Sequence, residues 1–375
     1  MITKYKPFHN VATGDFIREE MEIRGWTQRD LSAVLGISEK SISKLIGNKQ
    51  AVTIKTASLL GKAFGQSPDY WLNLYNNYAL RLLEDSWEEN RAVETKALIY
   101  NNMPIGEMFK KGWMEKTRDA GKLVKEVLKF FNRKKLDLSL FDNANLPAFR
   151  KSKTYENFSP NYAFTWFQMA KNCAKHYHVD DYNRDALREI AKNLHAYTVS
   201  RDGVQLFIRQ LTDVGVKFFV LSHLHKTYID GASFFDGKNP VIVYTGRHDR
   251  IDNFWFTVAH EIAHILKHLR NENDFFIDDT DKRNAEFQNK QEKEADEFAL
   301  ETIKEREIIK FCTSSRYKTH SLIARCEREL KICSGIIVGV LQHRKMLSRK
   351  NLNKYKYQAS ELLPENCFVE RLLSL

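Results

Sequence analysis

Phe256-Thr-Val-Ala-His-Glu-Ile-Ala-His-Ile-Leu-Lys-His-Leu269 is the stretch that decides the fold of the C-terminal half of the chain. His260 and His264 are four residues apart, so on a helix both side chains project from one face, one turn apart. Two imidazoles at this spacing can occupy two corners of a tetrahedral Zn²⁺ site, and Glu261 can then act as general base toward a water molecule in the open position. The same pattern also arises by accident on buried amphipathic helices, so a third ligand has to be found elsewhere.

The acidic segment Gln291-Glu-Lys-Glu-Ala-Asp-Glu-Phe-Ala299 supplies candidates for that third ligand. Glu292 and Asp296 are four residues apart and share a helix face, whereas Glu294 points about 200° away from Glu292. This geometry favours Glu292 as the ligand, with Asp296 behind it accepting a hydrogen bond from the far nitrogen of His260. Glu294 and Asp296 remain alternatives for the ligand itself.

Strands and helices are predicted around the histidine motif. We expect a helix near 201–213, strands at 216–221, 231–235 and 241–244 with a turn at 236–240, the motif helix at 254–269, an acidic loop at 271–281 and a helix at about 285–304. The third strand is expected to form the sheet edge along which an extended peptide is laid. We interpret His268 as structural or solvent-facing, because a third histidine ligand of the metzincin type would stand where the chain has Arg270.

The segment Gly25-Trp-Thr-Gln-Arg-Asp-Leu-Ser-Ala-Val-Leu-Gly-Ile-Ser-Glu-Lys-Ser-Ile-Ser-Lys-Leu45 has the pattern of a helix-turn-helix, within five short helices predicted from residue 13 to about 80. Gly36 stands at the sharp turn, where a positive φ is needed. The expected N-caps of four of these helices are Thr27, Ser38, Thr53 and Ser67. The expected shared core is Leu31, Val34, Ile42 and Leu45.

The second helix of this motif, opening at Ser38, is expected to lie in the major groove of DNA. Its outward side chains, and the residues placed for phosphate contacts, form the predicted DNA-binding set. That set is Gln28, Ser38, Glu39, Lys40, Ser41, Ser43 and Lys44, of which Gln28 and Ser41 are assigned to phosphates.

Length, charge and cysteine content limit the classes of protein to which the chain can belong. A chain of 375 residues holds two or three domains, and its net charge of +11 with a pI near 9.2 invites an anionic partner, nucleic acid first. No apolar run approaches the roughly 20 residues of a membrane span, and the N-terminus lacks the apolar core of a secretory signal. The five scattered cysteines predict reduced thiols of a cytoplasmic protein.

Both halves of the chain resemble known families. Residues 8–80, with the run Gly61-Lys-Ala-Phe-Gly-Gln-Ser-Pro-Asp-Tyr-Trp-Leu-Asn-Leu74, resemble the XRE/Cro-type repressors of the HigA antitoxin branch. Gly47-Asn48 departs from that family's usual Asn-Gly order, but both residues tolerate a left-handed turn. Residues 205–345 resemble the ImmA/IrrE metallopeptidases through 245–264, 292–299 and 335–343. That resemblance implies a gluzincin-like core, Zn²⁺ held by two His and a Glu, and Glu261 as base.

Together these patterns predict a mostly helical α+β protein. It would have an N-terminal five-helix lambda-repressor-like helix-turn-helix domain (1–85), a helical region (86–200) that is either a connector or part of the peptidase domain, and a gluzincin-like metallopeptidase domain with a small β-sheet (201–375). The predicted function is a homodimeric transcriptional regulator that binds an operator in double-stranded DNA and cleaves a protein partner, a repressor or a toxin. The alternative is a non-catalytic HigA-like antitoxin or autorepressor whose peptidase-like domain only binds or senses its partner.

Overall fold

A computed structural model of the chain describes residues 10–84, 87–141, 157–271, 274–278 and 290–369. The chain divides into two compact units, Met1–Lys96 and Ala97–Leu375. Residues 97–200 therefore lie in the same unit as the histidine motif. Among the described residues, no helix combines the length and the apolar character that crossing a bilayer requires.

The first unit contains the five predicted helices, and the structure confirms them. They are α1 (Thr13–Arg24), α2 (Gln28–Leu35), α3 (Glu39–Ile46), α4 (Ile54–Phe64) and α5 (Pro68–Glu84). All four expected N-caps are confirmed, because each hydroxyl accepts a hydrogen bond from the backbone N–H three residues later. Gly36 has a φ of +64° between α2 and α3, as the sharp turn requires.

The core of this unit corrects one sequence prediction. Leu31, Ile42 and Leu45 are buried as expected, but Val34 is 51% exposed and Leu35 is buried in its place. The buried residues of α2 are Leu31 and Leu35, which lie one turn apart on the same face of the helix. After α3 the left-handed residue is Asn48, with a φ of 56°, and its side chain accepts a hydrogen bond from the N–H of Gly14.

The second unit is built from a small sheet and many helices. After α6 (Trp87–Asn102), whose course contains the boundary between the units, the helices that precede the sheet are α7 (Ile105–Lys110), α8 (Ala120–Phe130), α9 (Pro160–Ala174), α10 (Arg184–Lys192), α11 (Leu194–Tyr197) and α12 (Gly203–Asp213). The strands are β1 (Lys217–Val220), β2 (Gly231–Asp236), β3 (Asn239–Tyr244) and β4 (Phe275–Asp278). The helices beyond β3 are α13 (Ile251–Ala263), α14 (Lys290–Thr302), α15 (Glu305–Thr313), α16 (His320–Leu330) and α17 (Ser334–His343).

The strand order is β1-β3-β2-β4, with β1 parallel to β3 and the other two pairs antiparallel. The three strands predicted from sequence are confirmed. The prediction that β3 forms the sheet edge is wrong, because β3 pairs with a strand on each side. Residues 275–278 of the expected acidic loop form the edge strand β4 instead, and residues 285–289 of the expected following helix lie outside the described residues.

Each face of the sheet is covered by helices, which gives the unit two hydrophobic layers. Phe219, Phe234 and Val243 pack with residues of α8 and α9, including the fully buried Trp166. The alternate side chains, such as Phe218 and Ile242, pack with α12, α13 and α17. Successive side chains of a strand point to opposite faces, so these short apolar strands are buried on both sides.

Candidate metal centre

Helix α13 carries the histidine motif through the centre of the second unit. All of its residues except Asp252 are buried, so its position is fixed by packing along its whole length. The Asp252 carboxylate in its first turn lies 2.9 Å from Lys356 Nζ, which joins this end of the helix to the C-terminal part of the chain. The helix continues through His264–His268 as a π-helical turn. Such wider turns interrupt α-helices mostly at functional sites.

Three potential ligand atoms converge where α13 meets α14. His260 Nε2 and His264 Nε2 are 3.0 Å apart, and Glu292 Oε2 lies 3.5 Å and 3.8 Å from them, respectively. A tetrahedral zinc site with bond lengths of about 2.0–2.1 Å separates its ligand atoms by about 3.3 Å. The three atoms all lie within 4.8 Å of one another, so the donor types and their spacing suit a zinc ion without rearrangement.

Other side chains stand behind the two imidazoles. His260 Nδ1 lies 3.0 Å from Asp296 Oδ1. The hydrogen bond between these two side chains, expected from the sequence, stays a prediction. His264 Nδ1 lies 3.0 Å from His268 Nδ1, and His268 Nε2 lies 3.1 Å from Glu294 Oε2. The ring of Phe276 on β4 stacks on His264 with a centroid distance of 4.0 Å.

His268 is buried, so the solvent-facing interpretation of this residue is wrong and the structural one remains. Burial lowers the pKa of its imidazole, and this effect outweighs the hydrogen bond with Glu294, which acts in the opposite direction. The same hydrogen bond lowers the pKa of the Glu294 carboxyl. Glu294 is therefore engaged with His268, which leaves Glu292 as the acidic side chain of α14 that meets both Nε2 atoms.

Glu261 lies completely buried between α13 and the start of β2. Its carboxylate occupies the space that a side chain at position 231 would need, because a Cβ placed on Gly231 would come within 2.3 Å of Glu261 Oε1. Thr257 confines the same space, with its Cγ2 atom 2.8 Å from that Cβ position. A glycine is thus required at 231 for the carboxylate to keep this position, a need that a Gly at the start of a predicted strand did not reveal.

The loop between β3 and α13 is held by internal contacts. Tyr244 donates its phenolic hydrogen to the carbonyl of His248, and burial raises the pKa of Tyr244 above its ordinary range. Arg247 donates to the carbonyl of Tyr228 and lies 3.6 Å from the fully buried Asp230 carboxylate. These contacts give Tyr244 and Arg247 structural roles in fixing the loop.

The predicted DNA-binding residues form a separate surface on α2 and α3. Six of the seven are exposed and Ser41 is half-buried. Ser38 caps α3, and its hydroxyl lies 3.0 Å from that of Ser41. Within the described part of the chain, no carboxylate forms an ion pair with Lys40 or Lys44, so both ammonium groups face solvent.

Comparison with known proteins finds two families. Residues 17–71 match the helix-turn-helix family, and residues 201–344 match the IrrE N-terminal-like domain, a family of the peptidase M78 type.

The relatives found by sequence align with the first unit. The uncharacterized HTH-type transcriptional regulator YddM of Escherichia coli (strain K12) is 31% identical over 78 residues, which cover 21% of this chain and 83% of that protein. Antitoxin HigA-1 of Vibrio cholerae serotype O1 is 33% identical over 73 residues, covering 19% of this chain and 66% of that protein. A solved structure of an addiction module antidote protein of a HigA family from Coxiella burnetii is 25% identical, covering 22% of this chain and 91% of that one with a TM-score of 0.21.

Proposed function

Because the chain belongs to the helix-turn-helix regulators at its N-terminus and to the IrrE N-terminal-like family over residues 201–344, we propose a function that joins the two. The first unit binds an operator in double-stranded DNA. The second unit is a zinc-dependent endopeptidase that cleaves a protein partner, either a repressor or a toxin. The observation that carries the enzymatic half is the convergence of His260, His264 and Glu292. Glu261, next to His260 in sequence, is completely buried.

In this mechanism His260, His264 and Glu292 would hold Zn²⁺. When bound, the zinc would polarise the scissile carbonyl and lower the pKa of water in the open position to about 7. Glu261 takes the proton from the attacking water and delivers it to the leaving amine. Its complete burial keeps the carboxylate in a weakly solvated environment, and Gly231 leaves it the room to stay there.

The sheet offers a place for the substrate backbone. β4 is the last strand in the order β1-β3-β2-β4, and an extended peptide laid along it would be held through main-chain hydrogen bonds. Phe276 of this strand stacks on His264, which places β4 directly beside the proposed ligands. The peptide is thus expected along β4 at the edge of the sheet, and not along β3, which lies inside it.

The DNA-binding half is supported by the helix-turn-helix family match and by the solvent-facing lysines of α3. Glu39, Lys40, Ser43 and Lys44 would face the major groove, with Gln28 and Ser41 toward phosphates. One such module reads too few base pairs for useful specificity, so the chain is expected to act as a homodimer.

Metal analysis and partner cleavage test the enzymatic half. The purified protein should contain about one zinc per chain, and Glu292→Gln should lose it. The matched variant Glu297→Gln, on an exposed position of the same helix, should keep it. Wild-type protein without zinc would contradict the proposal.

Incubation with the products of neighbouring genes then separates cleavage from binding. Zinc-loaded wild-type protein should cleave one of them, and Glu261→Gln should bind it without cleaving while retaining zinc and operator affinity. A partner that stays bound and intact with the wild-type protein would favour the non-catalytic antitoxin or autorepressor.

A further inference from the structure

We propose that His268 and Glu294 are positioning residues that fix the tautomer of His264, so that its Nε2 atom faces the metal centre with a lone pair. The two residues form a relay that runs from a carboxylate on α14, through the π-helical turn, to the far side of the His264 ring. Its consequence for zinc affinity rests on the function proposed above, whereas the proton arrangement within the relay does not require a metal.

The relay is defined by two short contacts. Glu294 Oε2 lies 3.1 Å from His268 Nε2, and His268 Nδ1 lies 3.0 Å from His264 Nδ1. His264 is fully buried, and stacking on Phe276 holds its ring plane. The π-helical turn carries both His264 and His268, and its wider course is the local feature that distinguishes this segment from the α-helix before it.

The carboxylate at one end fixes every proton in the relay. An ionised carboxylate only accepts hydrogen bonds, so His268 Nε2 must carry the hydrogen that it donates to Glu294. In a neutral imidazole the other nitrogen is then an acceptor, so His268 Nδ1 accepts from His264 Nδ1–H. His264 Nε2 is left with a lone pair, and that atom is the one that faces His260 and Glu292.

A carboxylate also stands behind the other ring, since Asp296 Oδ1 lies 3.0 Å from His260 Nδ1. A hydrogen on His260 Nδ1, the arrangement that this carboxylate favours, would leave a lone pair on His260 Nε2. The two Nε2 atoms lie 3.0 Å apart, so lone pairs on both would repel each other until a cation stands between them. Helix α14 thus places one carboxylate at the proposed metal site, Glu292, and one behind each histidine.

Loss of the relay should weaken zinc binding without removing a ligand. Hydrogen-bond partners behind metal-bound histidines typically change metal affinity by about 10- to 100-fold. We expect His268→Leu to lower zinc affinity by that factor, because His264 then lacks an acceptor for its Nδ1 hydrogen. His268→Asn keeps an acceptor oxygen near the position of Nδ1 and should retain most of the affinity.

The test combines zinc affinity with histidine NMR on the full chain. Zinc dissociation constants are measured by competition with a chromophoric chelator for the wild type, His268→Leu, His268→Asn and Glu294→Ala, with the exposed Glu297→Gln as control. Glu294→Ala should weaken zinc binding in the wild-type background. It should have no further effect in the His268→Asn background, where the acceptor for His264 remains but the ring nitrogen that contacts Glu294 is absent.

In the metal-free protein, side-chain ¹⁵N spectra should show His268 as the Nε2–H tautomer and His264 as the Nδ1–H tautomer. Glu294→Ala should allow a mixture of tautomers at His268, which a merely space-filling role would not produce. The opposite tautomers, or a His268→Leu variant whose zinc affinity stays within about threefold of the wild type, would overturn the proposal. A wild-type protein that binds no zinc would contradict the proposed enzyme, and the NMR spectra would still decide the relay.

Discussion

Replacing Gly231 by alanine should destabilise the second unit, and removal of the Glu261 carboxylate should relieve the effect. The new Cβ would lie 2.3 Å from Glu261 Oε1 and 2.8 Å from Thr257 Cγ2. Strand β2 cannot yield easily at this point, because Gly231 pairs with Tyr244 on one side and Asp278 on the other. Either the carboxylate or the strand must therefore move by about 1 Å to restore an ordinary contact.

Forcing a methyl group into a packed interior typically costs about 1–3 kcal/mol. For a unit of this size, 1 kcal/mol corresponds to about 2–4 °C in melting temperature, so Gly231→Ala should lower the melting temperature of the second unit by roughly 2–12 °C. In a Glu261→Ala background the 2.3 Å contact is absent, while the 2.8 Å contact with Thr257 remains. The same substitution should then cost less by roughly 1 kcal/mol, a coupling that two contacting residues commonly show.

The assay is a double-mutant cycle followed by thermal and urea unfolding of the full chain. Gly106→Ala is the matched control, since a Cβ at that helical position meets nothing within 4 Å. Zinc content should be unchanged in Gly231→Ala, because none of the three atoms nearest the new methyl group belongs to a proposed ligand. The reasoning is refuted if Gly231→Ala melts within about 1 °C of the wild type, or if its cost is the same with and without Glu261.

Four further outcomes are expected. Chelation of zinc, or Glu292→Gln, should lower the melting temperature of the second unit and leave that of the first unchanged, because a ligand that binds only the folded form stabilises it by mass action. Calorimetry with and without chelator measures this difference, and a transition that does not depend on zinc would count against the site. Lys44→Gln should weaken operator binding and reduce the salt-dependence slope by about one, with Lys62→Gln on α4 as the control in a titration at several salt concentrations. Gly36→Ala should destabilise the first unit by about 1–2 kcal/mol in urea unfolding, and Gly36→Asn by less, because the φ of +64° strains most side chains. Burial, assisted by the charges of Arg247 and Lys111, lowers the pKa of His223 below its ordinary 6.5, so the unfolded chain binds more protons than the folded chain as the pH falls. The contribution of neutral His223 to the free energy of unfolding is therefore present above about pH 6.5 and lost as the pH decreases. In a plot of unfolding free energy against pH, His223→Gln should flatten the slope in that range.

The helix-turn-helix was predictable because its determinants are local. Each hydroxyl N-cap acts on a backbone N–H three residues away, and Gly36 needs its left-handed conformation whatever surrounds it. Val34 was the exception. Val34 and Leu35 are both apolar, and only the way α2 packs in the unit decides which of the two is buried. The predicted roles of the α3 side chains in binding DNA stay predictions.

In the second unit, the sequence by itself determined which residues can share a helix face. Periodicity placed His260 with His264 and Glu292 with Asp296, because the 3.6-residue repeat of the helix is intrinsic to the backbone. Only the tertiary structure decided how the two helices meet, and so which carboxylate stands at which nitrogen. Glu294, assigned by periodicity to another face, reaches His268 because the π-helical turn and the packing of α13 against α14 bring them together. The same holds for three further features: the two neighbours of β3, the strand β4 inside an acidic segment, and the close approach of Gly231 to Glu261. Each depends on contacts between residues far apart in sequence, which no local sequence pattern predicts.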